Sequence, residues 1–261
     1  MKRFYYHFLD LYRHRFLIWQ LVLRDIRARY RGSFLGFLWT FMNPLIQMGI
    51  YTLVFSFYLR INMEKYPAFL FCGLIPWTWI SSSIERGMHS IVHSGTLVTK
   101  AMLPPHVLPT TMNISNFVNF IFTLPLLILF LLLFRIYPDI TIFFLIILLP
   151  IQFIFLQGLS LMVATLTVYF RDLLHVTPNL LLFLFFGTPI VYPFSMVPEK
   201  LRTLVLFNPF SPLIISYQHS LFFKIPPSPF HLLYAGGWAI LFLFLGIYVY
   251  EKFRDEIPEL I

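Results

Sequence analysis

Four closely spaced arginines are the clearest group of side chains in this sequence that could bind a ligand. Arg24, Arg27, Arg29 and Arg31 fall within one short stretch. Guanidinium groups donate paired hydrogen bonds to phosphate oxygens, so this group suits an anionic headgroup at a membrane surface. A second interpretation stays open, because arginines beside apolar segments also set the orientation of a membrane protein without binding any ligand.

Other residues that could do chemistry are few and poorly grouped. His89 and His93 are spaced for one face of a metal-binding helix, but no third ligand lies near them, so we predict no metal site. His106, His175 and His219 lie mostly at the ends of apolar segments. This placement disfavours a membrane-embedded transferase, which needs a buried acid, base or nucleophile. We predict no catalytic residue.

A nucleotide-binding loop is also missing from the sequence. None of the 11 glycines stands in the glycine-rich pattern before a lysine that cradles the phosphates of ATP. We therefore expect this chain to bind no cofactor. If ATP drives its function, ATP and Mg²⁺ are expected on a separate partner subunit.

Long apolar stretches without any charge dominate the chain. No Asp, Glu, Lys or Arg occurs in residues 33–59, 66–84, 107–134, 140–170, 173–198 and 229–250. A helix of about 20 apolar residues crosses a bilayer core about 30 Å thick. The sequence therefore predicts an all-α polytopic membrane protein with six transmembrane helices. Such helices lack the ionisable groups that an ion-coupled transporter needs near mid-membrane.

The N-terminal segment differs because charges interrupt its apolar residues. Eight of the 19 Lys and Arg residues fall in the first 31 positions, which predicts a cytoplasmic N-terminus. Its aromatic and aliphatic residues recur at three- and four-residue spacing, as in an amphipathic helix that lies in the membrane interface. We predict an interfacial helix over 1–32, a six-span domain over 33–250 and a cytoplasmic tail over 251–261. A nucleic-acid partner is not expected for so apolar a chain.

The second span and the connector after it form a distinct region. Gly73, Pro76 and three consecutive serines predict a kink or break in this span. Residues 85–105 then form a cytoplasmic connector whose mixed side chains could dock into the groove of a partner. The residues predicted for this contact are Ile91, Val92, Leu97, Val98, Lys100 and Met102. An ordinary surface loop is the alternative interpretation.

The region 194–230 contains a segment that is apolar but broken. Asn208 and Pro209 divide residues 204–223 into two pieces, each too short to cross a membrane. Such a segment can re-enter the membrane when its free backbone groups face protein or water. We predict a re-entrant segment on the external side, between spans five and six, in preference to a seventh span.

Two motifs resemble those of a known family. One is LRDIRARYRGSFLGFLW at 23–39, and the other is TPIVYP at 188–193, followed by Val197-Pro198 and Asn208-Pro209. With them the chain resembles the transmembrane permease subunits of ABC-type polysaccharide exporters, in particular O-antigen exporters, with capsule and teichoic-acid exporters as relatives. The resemblance covers almost the whole chain. Relatives often carry an arginine soon after the Asn-Pro pair, where this chain has Tyr217-Gln218-His219, so no role of that arginine is carried over.

The resemblance implies an assembly and a location. It implies a homodimer in the bacterial inner membrane, joined to two copies of a nucleotide-binding ATPase, with both termini cytoplasmic. It also implies that the connector couples to the ATPase and that Pro198, Asn208 and Pro209 belong to an external gate. The substrate would be a glycan on a lipid pyrophosphate, and the four arginines would meet its headgroup.

An uncharged path through the membrane suits such a glycan. Aromatic rings can stack on the C–H faces of sugars, while amides and hydroxyls bind sugar hydroxyl groups. The predicted lining consists of Trp39, Phe41, Asn43, Gln47 and Tyr51 in span one and Phe183, Phe186, Thr188 and Tyr192 in span five. The alternative is that these aromatics face lipid. Export of another lipid or of a drug-like molecule also stays open, and an ion-coupled transporter is less favoured.

Overall fold

The computed structural model describes residues 2–100 and 103–261, with side chains throughout except at residues 2, 3, 5, 30, 96, 97 and 100. Within these ranges there is no β-strand. The helices are α1 Lys2–Arg13, α2 Arg15–Tyr30, α3 Trp39–Thr52, α4 Tyr66–Val92, α5 Gly95–Lys100, α6 Val107–Leu133, α7 Leu145–Tyr169, α8 Leu173–Gly187, α9 Glu199–Phe207, α10 Ser211–Gln218, α11 Pro229–Phe253 and α12 Ile257–Leu260. The all-helical prediction is confirmed.

Four helical segments among the described residues are long and apolar enough to cross a membrane. They are Tyr66–Val92, Val107–Leu133, Ile140–Tyr169 and Pro229–Phe253. Two further apolar segments are less regular. A 3₁₀ turn precedes α3 and a π-helical turn, Leu53–Tyr58, follows it. The helix α8 has 15 residues.

The helix α4 forms the centre of the bundle. In its most apolar stretch 78% of the residues are buried, against 22–33% in the other three long helices. It packs against α6 and α7, while α7 packs most extensively against α11. Polar side chains of α7 fasten the two inner helices together, because Gln152 donates to the Pro76 carbonyl (3.0 Å) and Ser160 to the Ser83 carbonyl (2.9 Å). Such bonds hold helices together where no water competes.

The contact between α7 and α11 depends on two glycines. A Cβ atom at Gly158 would overlap the backbone of Phe242 and Leu243, and one at Gly246 would overlap the Gly158 carbonyl. The two backbones therefore approach each other more closely than any larger residue allows. Close approach through small residues is a common way to pack helices in a membrane.

The second span differs from its prediction. The helix α4 is continuous through Pro76 and ends at Val92, so the predicted break is absent. Glu85 and Arg86, expected in the cytoplasmic connector, instead lie within this helix. The charge-free pattern marked the apolar part of this helix and not its end, because a helix can continue past a bilayer edge into polar surroundings.

The N-terminal segment forms two helices instead of one. They meet at His14, where the backbone leaves helical geometry (φ −89°, ψ 10°). On α2, Val22 is fully buried while Phe16 is 72% exposed, so the predicted apolar face is divided between the bundle and its surroundings. The helix α2 packs mainly against α6, and α1 contacts α11.

Candidate functional site

A polar cavity of about 650 Å³ lies between α3, α4, α6 and α8, next to the end of α2. Much of its lining comes from helical positions three or four residues apart, such as Trp39, Asn43 and Gln47 on α3, which share one helix face. The lining residues are Arg29, Ser33, Trp39, Thr40, Asn43, Pro44, Gln47, Tyr51, Leu74, Trp77, Thr78, Trp79, Ser81, Ser82, Glu85, Asn116, Asn119, Phe120, Thr123, Pro178, Leu181, Leu182 and Phe185.

Aromatic rings form much of one end of the cavity. Tyr51 stacks on Phe185 with ring centroids 5.1 Å apart, and Trp77 meets the same Phe185 at 5.8 Å. Trp79 packs against Phe120 at 4.8 Å. These contacts fix the rings in place, because ring pairs at such separations stabilise one another. Trp77, Trp79, Phe120 and Phe185 are buried and Tyr51 is half-buried, so Tyr51 and the exposed Trp39 present the accessible ring surface of the cavity.

Amide and hydroxyl groups stand between these rings. Asn43 and Gln47 are one turn apart on α3 and both are exposed, while Thr78, Ser81 and Ser82 follow the facing side of α4. Uncharged polar groups of these kinds both donate and accept hydrogen bonds. Rings and uncharged polar groups together suit a ligand with alternating apolar faces and hydroxyls.

A charged network closes the other end of the cavity. Arg29 of α2 donates to Asn116 Oδ1 of α6 (2.9 Å) and to Asp25 Oδ2 (3.5 Å). Arg86 of α4 donates to the same Asn116 Oδ1 (3.2 Å) and pairs with Asp25 Oδ1. The network joins three helices, and Asp25 is shared by both guanidinium groups. Partly buried charges of opposite sign need such pairing.

Glu85 is the carboxylate of the described lining. It is half-buried and follows Ser81 and Ser82 by about one helical turn. None of the described basic side chains forms an ion pair with it. Arg86, its neighbour in sequence, contacts Asp25 instead.

The structure brings four of the five predicted span-one residues to the cavity. Trp39, Asn43, Gln47 and Tyr51 line it, and Phe41 does not. These four positions recur every four residues and thus share a helix face, whereas Phe41 is turned away and packs edge-on against Phe37 (5.4 Å). Their contact with a substrate remains a prediction.

The predicted residues of α8 lie elsewhere. Phe183 and Phe186 are 72% and 46% exposed and do not line the cavity. The cavity side of α8 is instead formed by Pro178, Leu181, Leu182 and Phe185. One position along a helix turns a side chain by about 100°, so apolar composition alone could not select the right phenylalanine.

Thr188 and Tyr192 belong to the packing at the far end of the bundle. Thr188 is fully buried, and its hydroxyl accepts a hydrogen bond from the Asn208 amide (2.9 Å). Asn208 also accepts from the Phe210 backbone N–H (3.0 Å). Tyr192 donates to the Phe186 carbonyl (2.9 Å). The two motifs TPIVYP and Asn-Pro are thus in direct contact, through Asn208.

The Tyr217-Gln218-His219 segment makes equally specific contacts. Tyr217 is fully buried, and Gln218 donates to the Pro189 carbonyl (2.8 Å). A Cβ atom at Gly73 would lie 2.9 Å from Gln218 Nε2, so the glycine in α4 makes room for this amide. Pro198 precedes α9 as its first flanking residue, and Pro209 lies between α9 and α10. A gating role for these residues remains a prediction.

The four arginines, three near the end of α2 and Arg31 directly after it, divide into two sets. Arg29 is half-buried in the network at the cavity, while Arg24, Arg27 and Arg31 are exposed. The exposed three are available to an anionic group at the surface. Sequence spacing could not show this division, because it depends on which side of α2 meets α6.

The predicted coupling residues include both buried and undescribed positions. Ile91 and Val98 are 0% and 4% exposed within the chain's own core, and Val92 packs against the same cluster. Met102 lies outside the described residues, as do the side chains of Leu97 and Lys100. The role of the connector in binding an ATPase therefore stays a prediction.

A histidine cluster that sequence reasoning missed fastens α1 to the bundle. His106 Nδ1 lies 2.9 Å from the Tyr250 hydroxyl, and His106 Nε2 lies 3.3 Å from Asp10 Oδ2. The rings of His7 and His106 are 4.6 Å apart. Burial lowers the pKa of His7 to about 4 and that of His106 to about 3, so both are neutral near pH 7. The residues are distant in sequence, which left no local signal.

The network at the cavity was also missed as a unit. Asp25, Arg86 and Asn116 come from three segments, and Arg86 was expected in the cytoplasmic connector. One feature of the sequence could have revealed it: no glycine or proline separates Glu85 and Arg86 from the end of the second apolar stretch. A helix that continued through these two residues would have placed both charges on α4.

Comparison with known proteins places the chain in a family. The sequence model of the ABC-2 type transporter family matches residues 16–222. The chain belongs to this family. It is similar to the O-antigen export system permease protein RfbA of Myxococcus xanthus, with 37% identity over 96% of this chain and 97% of that protein.

Two other relatives extend the comparison. An O-antigen export system permease protein RfbA of Klebsiella pneumoniae is 30% identical over 91% of this chain and 92% of that protein. The polysialic acid transport protein KpsM of Escherichia coli is 25% identical over 90% and 92%. This ABC-2 chain is therefore a multi-pass permease subunit, and ATP hydrolysis belongs to a separate subunit.

Proposed function

We propose that this chain is the channel-forming subunit of an ATP-driven exporter that moves a lipid-linked polysaccharide out of the cytoplasm. The observation that carries the proposal is the chemistry of the cavity, where fixed aromatic rings alternate with amides and hydroxyls. The names of the relatives support the same substrate class, since they are O-antigen and polysialic acid transport proteins.

The proposal includes six crossings of the inner membrane with both termini cytoplasmic. The four long helices supply four of these crossings. The other two are α3 with its flanking turns, which is span one, and α8 with the residues that follow it, which is span five. The segment α9–α10 would be re-entrant. All eight residues of α10 are buried, which supports a helix surrounded by protein, and its length is too short for a bilayer.

The proposed assembly is a homodimer with two ATPase subunits. Large apolar side chains of α3, of the π-helical turn after it and of α8 are exposed, which supports contact with a second copy or with lipid; they include Ile46, Ile50, Phe57 and Phe183. A polymer path between two copies would place both cavities along it. The exposed arginines Arg24, Arg27 and Arg31 would meet the diphosphate of the lipid carrier.

Reconstitution tests this function. The chain and its ATPase in proteoliposomes, supplied with a lipid-linked glycan and ATP, should export the glycan, and the chain alone should hydrolyse no ATP. Trp39→Ala and Gln47→Ala should each slow export about tenfold or more, if stacking or hydrogen bonding to the sugar is lost. Phe143→Ala, at a side chain 65% exposed outside the cavity, is the control. Transport driven by an ion gradient without ATP would contradict the proposal.

A further inference from the structure

We propose that the cavity selects glycans without charge, and that Glu85 is the residue that discriminates against acidic sugars. This inference rests on the proposed function, because it names the class of glycan that the same cavity takes. The names of the relatives do not imply this selection, because one of them is a polysialic acid transport protein and polysialic acid is an acidic polymer.

The first support is the position of Glu85. It lies on the cavity side of α4, half-buried, in line with Ser81 and Ser82. Among the described side chains no cation pairs with it. A sugar carboxylate that passed this wall would face a carboxylate at short range, and repulsion between like charges is stronger in a partly desolvated site than in water.

The second support is that the nearby cations are already compensated. Arg29, the basic residue of the described lining, bonds to Asp25 and Asn116. Arg86 is held by the same two partners. Asp25 is the carboxylate that both guanidinium groups share, and Asn116 accepts a further hydrogen bond from each of them. An acidic glycan would have to take Arg29 away from Asp25 to find a partner.

The third support is the rest of the lining. Its uncharged hydrogen-bonding groups include the amides of Asn43 and Gln47 and the hydroxyls of Thr78, Ser81 and Ser82. Its apolar surfaces are aromatic faces, which carry partial negative charge. Both kinds of group bind neutral sugars well, and neither compensates a sugar carboxylate.

The negative diphosphate of a lipid carrier does not contradict this selection. It meets the exposed Arg24, Arg27 and Arg31 outside the cavity, and it passes once per molecule. The charges of an acidic polymer would pass Glu85 at every repeat. Discrimination thus grows with the number of acidic repeats.

The experiment compares two glycans that differ only in charge. The complete transporter is reconstituted with its ATPase and given an uncharged lipid-linked glycan, or the same glycan after oxidation of its primary alcohols to carboxylates. The wild-type protein should export the uncharged glycan roughly fivefold faster or more, as expected from partly screened repulsion. The ratio should fall when the salt concentration is raised.

Three variants place the effect at Glu85. Glu85→Gln should bring the ratio of the two rates close to one, and Ser82→Glu, which adds a second carboxylate to the same wall, should increase it. Glu64→Gln removes an exposed charge outside the cavity and should leave the ratio unchanged. If Glu85→Gln does not fold, the Ser82→Glu arm still decides, because an unchanged ratio there overturns the proposal.

The outcomes separate this inference from the proposed function. Equal export of both glycans by the wild-type protein, or a ratio unaffected by Glu85→Gln, overturns the selection by charge and leaves glycan export intact. Export of neither glycan, with ATP hydrolysis intact, contradicts the proposed function itself.

Discussion

The two sides of α4 are built in different ways. On one side α6 and α7 pack closely against α4 and α11 packs against α7, with backbones in contact at Gly158 and polar side chains of α7 bonded to backbone carbonyls of α4. On the other side α3 and α8 leave a polar cavity and expose large apolar residues. The first side is closely packed and forms a rigid frame. The second side has surfaces that other molecules can contact.

This difference separates stability from function. Substitutions in the frame should unfold the protein, because close packing tolerates little change of volume. Substitutions in the cavity wall should leave the fold intact and alter transport.

The largest expected effect is at the crossing of α7 and α11. Gly158→Ala should lower the free energy of unfolding by about 3 kcal/mol, because the new methyl group overlaps the backbone of α11. The measurement is thermal unfolding in detergent. Gly236→Ala is the matched control, since no atom lies within 4 Å of a Cβ there and helix propensity favours alanine. Equal free energies of unfolding for the two variants would show that α7 and α11 are not tightly packed at this crossing.

The second largest loss of stability is expected for the charged network of Asp25, Arg29, Arg86 and Asn116 beside the cavity. Arg86→Gln leaves Asp25 with one weaker partner in a partly buried position, and should lower the free energy of unfolding by about 2 kcal/mol. Removing both charges in Asp25→Asn/Arg86→Gln should restore part of this loss. If the double variant is less stable than either single one, the two residues act independently and α2 is not held by this pair.

A smaller loss is expected where the two sequence motifs meet. Asn208→Ala removes the hydrogen bonds to Thr188 and to the Phe210 N–H, and should lower the free energy of unfolding by about 1 kcal/mol. Asn179→Ala, whose exposed amide bonds to the His175 carbonyl of its own helix, should change it less. The same unfolding measurement compares them, and the reverse order would contradict the assigned role of Asn208.

The smallest effect near neutral pH concerns the docking of α1. The pKa values of His7 and His106 are lowered by burial to about 4 and about 3, so the docked helix binds fewer protons than the undocked one below pH 6.5. Docking should be fully stable above pH 6.5 and weaken as the pH falls from 6.5 towards 4. Spin labels at Tyr12→Cys on α1 and Tyr248→Cys on α11, both exposed positions, would report the distance between these two helices.

A matched variant tests the origin of this pH dependence. In His7→Gln/His106→Gln the distance between the labels should no longer respond to pH over that range. Undocking at the same pH in this variant would assign the response to groups other than these two histidines.

The sequence predicted the frame and the cavity wall to different extents. Charge-free stretches located the long helices, because a bilayer imposes length and apolarity on any span. Four residues of α3 could be chosen correctly for the cavity lining, since they repeat every four positions. On α8 nearly every residue is apolar, so its cavity side had no pattern to reveal it.

Contacts between distant segments were beyond local reasoning. Asp25, Arg86 and Asn116 meet only after α2, α4 and α6 have packed, and His106 meets Tyr250 from across the bundle. The end of α4 was misplaced because the absence of charge marks the apolar layer and not the helix. Glu85 was thereby assigned to the cytoplasmic connector, although it lines the cavity.

The most direct measurement is chemical blockage of the cavity. Ser81→Cys in a Cys72→Ala background, in the reconstituted complex with its ATPase, would be treated with a bulky thiol reagent, and glycan export and ATP hydrolysis would be compared before and after the treatment. The cavity account predicts that export stops while ATP hydrolysis continues, and that bound glycan slows the reaction of the thiol. Undiminished export after complete modification would contradict it.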